Sequence, residues 1–305
     1  MKRKWLALVL CALLCTSLLP AAAQETGVTL TDMTGREVAL DAPATRIVAL
    51  TPSDCEILYA LGAGDTVVGK GTYCNYPAEA ESVPVVGSGA DTNIEQIIAL
   101  EPQVVLMSTM SQTQEQVAAL EKAGIRVVES DAADIEGVYA AIEMTGKVTG
   151  KNKEAAALIS QMKDAFAQIA DKAENTGKTV YFEVSPLQYG LWTAGANTFM
   201  DELATMCGLT NAFADVDGWG EISEEQVLSR DPDYIVTITM YFGDGPRPEE
   251  EIKSRKGWEE LKAVVNDQIL GADNDEISRP GPRLMDAART LYQFVYGEAE
   301  QAPAA

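Results

Sequence analysis

Two stretches of this chain, 130 residues apart, say nearly the same thing. "IEQIIALEPQVV" runs from Ile94 to Val105 and "EEQVLSRDPDYIV" from Glu224 to Val236. Glu95, Gln96 and Pro102 of the first correspond to Glu225, Gln226 and Pro232 of the second. Each stretch reads as a short helix, a proline break and an apolar strand. A chain that repeats such a corner at this spacing is expected to build two α/β units on one plan. "EILYALGAG" (Glu56–Gly64) and "DELATMCGLT" (Asp201–Thr210) form a fainter second echo: an acidic residue, then a helix, then glycine.

The rest of the chain keeps the same rhythm. Arg46–Leu50, Thr66–Val68, Val104–Met107 and Arg126–Val128 are short apolar runs bounded by turn residues, as expected of buried parallel strands. Helices are expected between them at Ser53–Leu61, Ile94–Leu100 and Gln112–Ala123. Pro52 suits the first helix start, and Gly62 and Gly124 suit helix ends. A second series has strands at Lys178–Ser185, Tyr234–Met240 and Gln268–Leu270. Its helices are expected at Thr198–Cys207, Glu224–Ser229, Gly257–Val264 and Pro282–Tyr296. Such alternation implies two α/β lobes, 24–150 and 175–297, with a tail at 298–305.

Between the lobes there is no flexible linker. Residues 151–174 carry Ala155, Leu158, Ile159, Met162, Phe166 and Ile169 at helical spacing without a proline. One helix of that length spans roughly 30 Å, the width of a small domain. It would join the lobes as a stiff spine and limit their closure.

Composition narrows the function. "MKRKWLALVLCALLCTSLLPAAA" has the charged start, apolar run and small-residue end of a secretory signal, so residues 1–23 are expected to be removed after Ala23. Cys15 is preceded by leucine, where a lipoprotein signal wants a small residue, so a lipid anchor is the less favoured reading. Loss of Lys2, Arg3 and Lys4 leaves 20 basic against 46 acidic residues, a net of −26. That surface repels nucleic acid and anionic lipid. Cys55, Cys74 and Cys207 show no metal spacing, and Cys55–Cys74 could form a disulfide. Histidine is absent, which removes Ser-His-Asp and Cys-His catalysis and His-ligated metals. With no G-x-S-x-G elbow or phosphate-binding glycine loop, an enzyme is not expected, and neither a cofactor nor a resident metal. The rival of another class is a secreted hydrolase that works without histidine.

Five motifs in order carry a resemblance over nearly the whole mature chain. They are "TLTDMTGREVALDAPATRIVAL", "YALGAGDTVVGKGTYCNYPAEA", "NIEQIIALEPQVVL", "EEQVLSRDPDYIV" and "RPGPRLMDAARTL". Together they resemble the extracytoplasmic substrate-binding proteins of ABC importers for ferric siderophores, haem and cobalamin. The resemblance implies two Rossmann-like lobes joined by one backbone helix, and a monomer that captures a metal chelate in the cleft between them. The implied partners are a dimeric permease and its ATPase. In that family one glutamate at the tip of each lobe meets permease arginines; the matching positions are Glu95 and Glu225, with Glu221 and Glu224 close enough to share the second role. The bland alternative is an ordinary first-turn helix glutamate.

Ligands of open α/β sheets gather at the carboxyl ends of strands. The loops expected there bring Tyr73, Tyr76, Trp192, Trp219, Tyr241 and Phe242, rings on which a flat chelate could pack. Trp192 and Tyr241 stand out because they follow strands within polar loops. "RPGPR" adds Arg279 and Arg283 for an anionic ligand group, around a rigid helix entry. Arginines and aromatics favour a ferric siderophore; cobalamin and haem are the alternatives.

Overall fold

The computed structural model describes residues 27–109, 113–240 and 245–297. The expected signal segment and tail lie outside those residues. A hairpin opens the described chain, β1 (Val28–Thr31) against β2 (Glu37–Leu40). The first lobe follows as β3 (Ile47–Ala49), α1 (Pro52–Ala60), β4 (Val67–Lys70), α2 (Ile94–Ala99), β5 (Val104–Ser108), α3 (Gln114–Lys122) and β6 (Arg126–Ser130). Its sheet is wholly parallel in the order β4-β3-β5-β6. The strands are buried on both faces, which is why they read as unbroken apolar runs.

Two helices connect the lobes, α4 (Ile135–Thr149) and α5 (Asn152–Lys172). Gly150 ends α4 in the left-handed region at φ 73°, so the proline-free stretch bends once before the long helix begins. Ala155, Met162, Phe166 and Ile169 form the buried stripe of α5.

The second lobe contains β7 (Thr179–Glu183), β8 (Leu191–Ala194), α6 (Phe199–Met206), β9 (Thr210–Asn211), β10 (Trp219–Ile222), α7 (Glu224–Arg230) and β11 (Tyr234–Thr237). It continues with α8 (Pro248–Ser254), α9 (Lys262–Val265), β12 (Ile269–Gly271), α10 (Asn274–Ile277) and α11 (Leu284–Tyr296). Its sheet runs β10-β8-β7-β11-β12, with β9 beside the start of β7. β8 and β10 are antiparallel, so this sheet is mixed where the first is not. The helix expected over Gly257–Val264 shrinks to α9. Trp258 fills the core instead, and Gly257 takes φ 88°, which a helix does not allow.

One apolar cluster crosses between the lobes. Ile57, Ile135 and Ile142 join Phe199, Leu203, Leu284 and Leu291, with Met162 and Phe166 of α5 beneath. Two hydrogen bonds reinforce the seam: Phe199 N to Ala133 O at 2.9 Å, and Ile135 N to Glu202 Oε2 at 2.7 Å. The Glu202 carboxylate thus sits at the positive end of α4.

The 130-residue echo is geometric as well as textual. Asn93 caps α2 by accepting from Gln96 N at 2.9 Å, and Ser223 caps α7 by accepting from Gln226 N at 3.3 Å. Glu101 and Asp231, each just before its proline, both have φ 47°. Gln103 Oε1 then takes Thr45 N at 2.7 Å, and Asp233 Oδ2 takes Thr179 N at 2.9 Å. Each corner therefore pins the chain at the entry to a central strand, β3 in one lobe and β7 in the other. Strands β5 and β11 begin at matching positions, Val104 and Tyr234.

Candidate ligand cleft and docking corners

The carboxyl ends of β3, β4, β5 and β6 open toward the second lobe. A depression of 440 Å³ there is lined by Thr51, Pro52, Tyr73, Ser88 and Gly89. It shares Thr51 and Pro52 with a deeper cavity of 220 Å³ between the lobes, lined by Asp54, Ser108, Ser130, Ser278 and Arg279 among others. Tyr73 is 67% exposed, and its ring stands at the mouth. Gly71 is required beside it: a Cβ there would lie 2.2 Å from the Leu50 carbonyl oxygen.

The two arginines expected to face an anionic ligand group have another partner. Glu56, buried on α1, accepts Arg279 Nη1 at 2.8 Å and both Arg283 Nε at 2.9 Å and Nη2 at 2.8 Å. Arg279 also donates to Asn75 Oδ1 at 2.8 Å and to the Tyr73 carbonyl at 3.2 Å, and pairs with Asp275 at 2.7 Å. In the structure a buried carboxylate reaching across from the first lobe is a partner of both arginines, and Arg279 also lines the inter-lobe cavity. Glu56 carried a signal in the sequence, an acidic residue inside an apolar helix, but no spacing tied it to residues more than 220 positions away.

Tyr76 and Tyr73 part company. The Arg283 guanidinium lies 4.3 Å from the centre of the Tyr76 ring. Tyr76 lines a separate flank groove of 610 Å³ with Glu56, Tyr59, Pro77 and Asp286. Tyr76 therefore stands beside the seam, away from the depression that holds Tyr73.

Trp192 is within β8 and Trp219 opens β10, not in loops as expected. The register pairs Trp192 with Glu221 and Trp219 with Ala194, which puts both indoles on one face as diagonal neighbours. They are 41% and 37% exposed, and Trp219 packs edge-on against Phe199 at 5.6 Å. The alternation around Trp192 was legible, since Leu191 and Thr193 are buried on the opposite face. Tyr241 and Phe242 lie outside the described residues. Cys55, Cys74 and Cys207 are free and buried.

Glu95 and Glu225 are each the second residue of a helix, and both are exposed. A helix that feeds the start of a parallel strand begins at the carboxyl edge of the sheet, so each glutamate stands at the edge that bears the cleft loops. Its own backbone amide and the Ser223 hydroxyl hold the Glu225 carboxyl below its ordinary value. Glu224 is engaged, accepting the Trp258 indole N–H at 3.0 Å, whereas Glu221 is exposed on β10.

Residues 47–276 match the model of a periplasmic binding protein family. The chain is 36% identical over 276 residues to an uncharacterized ABC transporter substrate-binding lipoprotein, YvrC, of Bacillus subtilis, covering 88% of this chain and 85% of that one. It is 30% identical over 269 residues to a cobalamin-binding protein of Halobacterium salinarum, covering 85% and 71%. A solved structure described as an ABC-type Fe3+-hydroxamate transport system, from Saccharomonospora viridis, superposes with a TM-score of 0.73 at 26% identity, covering 88% and 99%. Fold, corners and sequence agree: this chain belongs to the periplasmic binding protein family of ABC import systems.

Proposed function

We propose that the chain is an extracytoplasmic capture protein that binds one metal chelate between its lobes and presents it to an ABC permease dimer. The observation that carries this reading is the pair of matched corners, which set Glu95 and Glu225 at equivalent exposed positions of two similar lobes. A pseudo-symmetric surface of that kind suits a partner built of two like subunits. Transport energy would come from the partner ATPase. Delivery outside the cytoplasm fits a signal cleaved after Ala23.

The preference among chelates shifts with the geometry. Arg279 and Arg283 argued for a ferric siderophore from sequence, yet Glu56 and Asp275 together balance their charge, Glu56 reaching both across the seam. Tyr73, Trp192 and Trp219 remain exposed for a bulky ring system. An uncharged, amide-rimmed corrinoid therefore becomes the favoured ligand, and a ferric siderophore held by aromatic contacts is the second reading. Titrating the purified mature chain with cyanocobalamin, haemin and ferrichrome tests it. One chelate bound per chain is the expected result; no binding of any of the three would refute the ligand class.

A further inference from the structure

The floor of the inter-lobe cavity carries a carboxylate that neither the aromatic rim nor the docking corners use. Asp54, the third residue of α1, is fully buried. Its Oδ2 accepts hydrogen bonds from the Thr51 hydroxyl and from Ser130 Oγ, the latter at 3.0 Å. Its Oδ1 is buried with no hydrogen-bond partner among the described residues. Asp54, Thr51 and Ser130 all line the 220 Å³ cavity, and the Arg279 and Ser278 of the opposite lobe close it.

Proton accounting gives that cavity a chemical sense. An ionised carboxylate only accepts, and each hydroxyl has a single proton to give. Thr51 directs its proton to Asp54 while its oxygen takes the Asp54 backbone N–H at 3.4 Å, and Ser130 shares its proton between Asp54 and the Met107 carbonyl at 3.2 Å, so what either hydroxyl has left is acceptor capacity. Ser278 Oγ gives its proton to the Asn274 carbonyl at 2.6 Å and is left an acceptor too. Arg279, the strong donor on the wall, is bound by Glu56, Asn75, Asp275 and the Tyr73 carbonyl. The floor is thus rich in acceptors and has one carboxylate oxygen unmet. A buried acceptor without a donor is unfavourable, and a donor that reaches it gains a charge-assisted bond. A second carboxylate brought to the same place would have to bind a proton to stay.

We propose that this cavity is a subsite for an uncharged hydrogen-bond donor on the ligand, such as a primary amide on the rim of a corrinoid, and that Asp54 is the residue that selects it. The inference rests on the chelate reading above and adds which chemistry the cleft floor accepts. It disfavours ligands whose reaching groups are carboxylates, haem among them. Burial raises the Asp54 carboxyl to about 6 against the pull of the Thr51 and Ser130 hydroxyls, so at neutral pH the group is the acceptor the subsite requires.

The test compares the wild-type chain with Asp54→Asn and Ser130→Ala. Each is titrated at pH 7.5 with cyanocobalamin, with the cyanocobalamin monocarboxylic acids in which one rim amide is hydrolysed, and with haemin. Wild type should prefer cyanocobalamin to haemin and bind at least one mono-acid more than about tenfold more weakly than the amide. Asp54→Asn, whose new N–H₂ group can donate, should bind cyanocobalamin about tenfold more weakly and lose the amide-over-acid preference. Ser130→Ala should shift affinity less and keep that preference. Unchanged affinity and preference in Asp54→Asn, with cyanocobalamin still bound, would overturn the role of Asp54 and leave the chelate reading standing. Tighter binding of haemin than of cyanocobalamin by wild type would overturn the donor subsite. No binding of cyanocobalamin, haemin or ferrichrome by wild type would remove the chelate reading and this inference with it.

Discussion

The two lobes agree at their corners and disagree at their mouths. At the corners, N-caps Asn93 and Ser223, left-handed Glu101 and Asp231, and strand-pinning Gln103 and Asp233 recur at one spacing. At the mouths the first lobe has a purely parallel sheet with a tyrosine loop, while the second inserts antiparallel β8 and β10 with two exposed tryptophans. The first helices diverge too. Thr51 and Thr198 cap α1 and α6 alike, each with an aspartate three residues on, but Asp54 is fully buried and Asp201 is not. The likeness persists where a two-fold partner would require it, and is lost where a ligand without that symmetry would be held. That contrast is the one expected if the corners dock and the mouths bind, as proposed.

The largest effect that could break this division lies at the seam. Glu56→Ala leaves the largely buried Arg283 without a carboxylate and Arg279 with Asp275 alone, so it should destabilise the fold by roughly 3 kcal/mol, read by denaturant unfolding. A change below about 1 kcal/mol would mean that the seam is held by apolar packing alone. Next comes Asp54, where the sign is opposite. Its folded value of about 6 lies above the unfolded aspartate value near 3.9, so the folded state binds a proton more tightly. The resulting stabilisation is complete below about pH 4 and is lost as pH rises through 6, leaving a burial penalty of up to about 3 kcal/mol at pH 7. Asp54→Asn should therefore raise the melting temperature at pH 7 and lose that gain at pH 4; a pH-independent effect would contradict the assignment. Smaller still, Asn93→Ala and Ser223→Ala should each cost about 1 kcal/mol. Near-equal losses would sharpen the equivalence of the corners, and a loss in one lobe only would weaken it.

Much of this was legible in the residues. The echo placed both corners because caps, proline breaks and apolar strands act over a few positions, and every one of those forces is local. Strands β3, β5, β6, β7 and β11 were found for the same reason: buried parallel strands are plain apolar runs. β8 and β10 were missed because both are only four residues long, β8 between two glycines and β10 mostly exposed, which made Trp192 and Trp219 read as loop residues. Glu56 with Arg279 and Arg283 escaped because an ion pair that bridges lobes leaves no periodic trace. Asp54 escaped because the sequence shows an ordinary first-turn aspartate; only the fold reveals that Ser130 lies over it.

The division between copied corners and diverged mouths meets its most direct test in transport. The Glu95→Ala/Glu225→Ala double variant is compared with wild type for chelate affinity and for uptake through the partner permease in vesicles. The expected result is unchanged affinity with uptake abolished, and a partial loss for each single variant. Full uptake by the double variant, or a loss of chelate affinity equal to its loss of uptake, would contradict it.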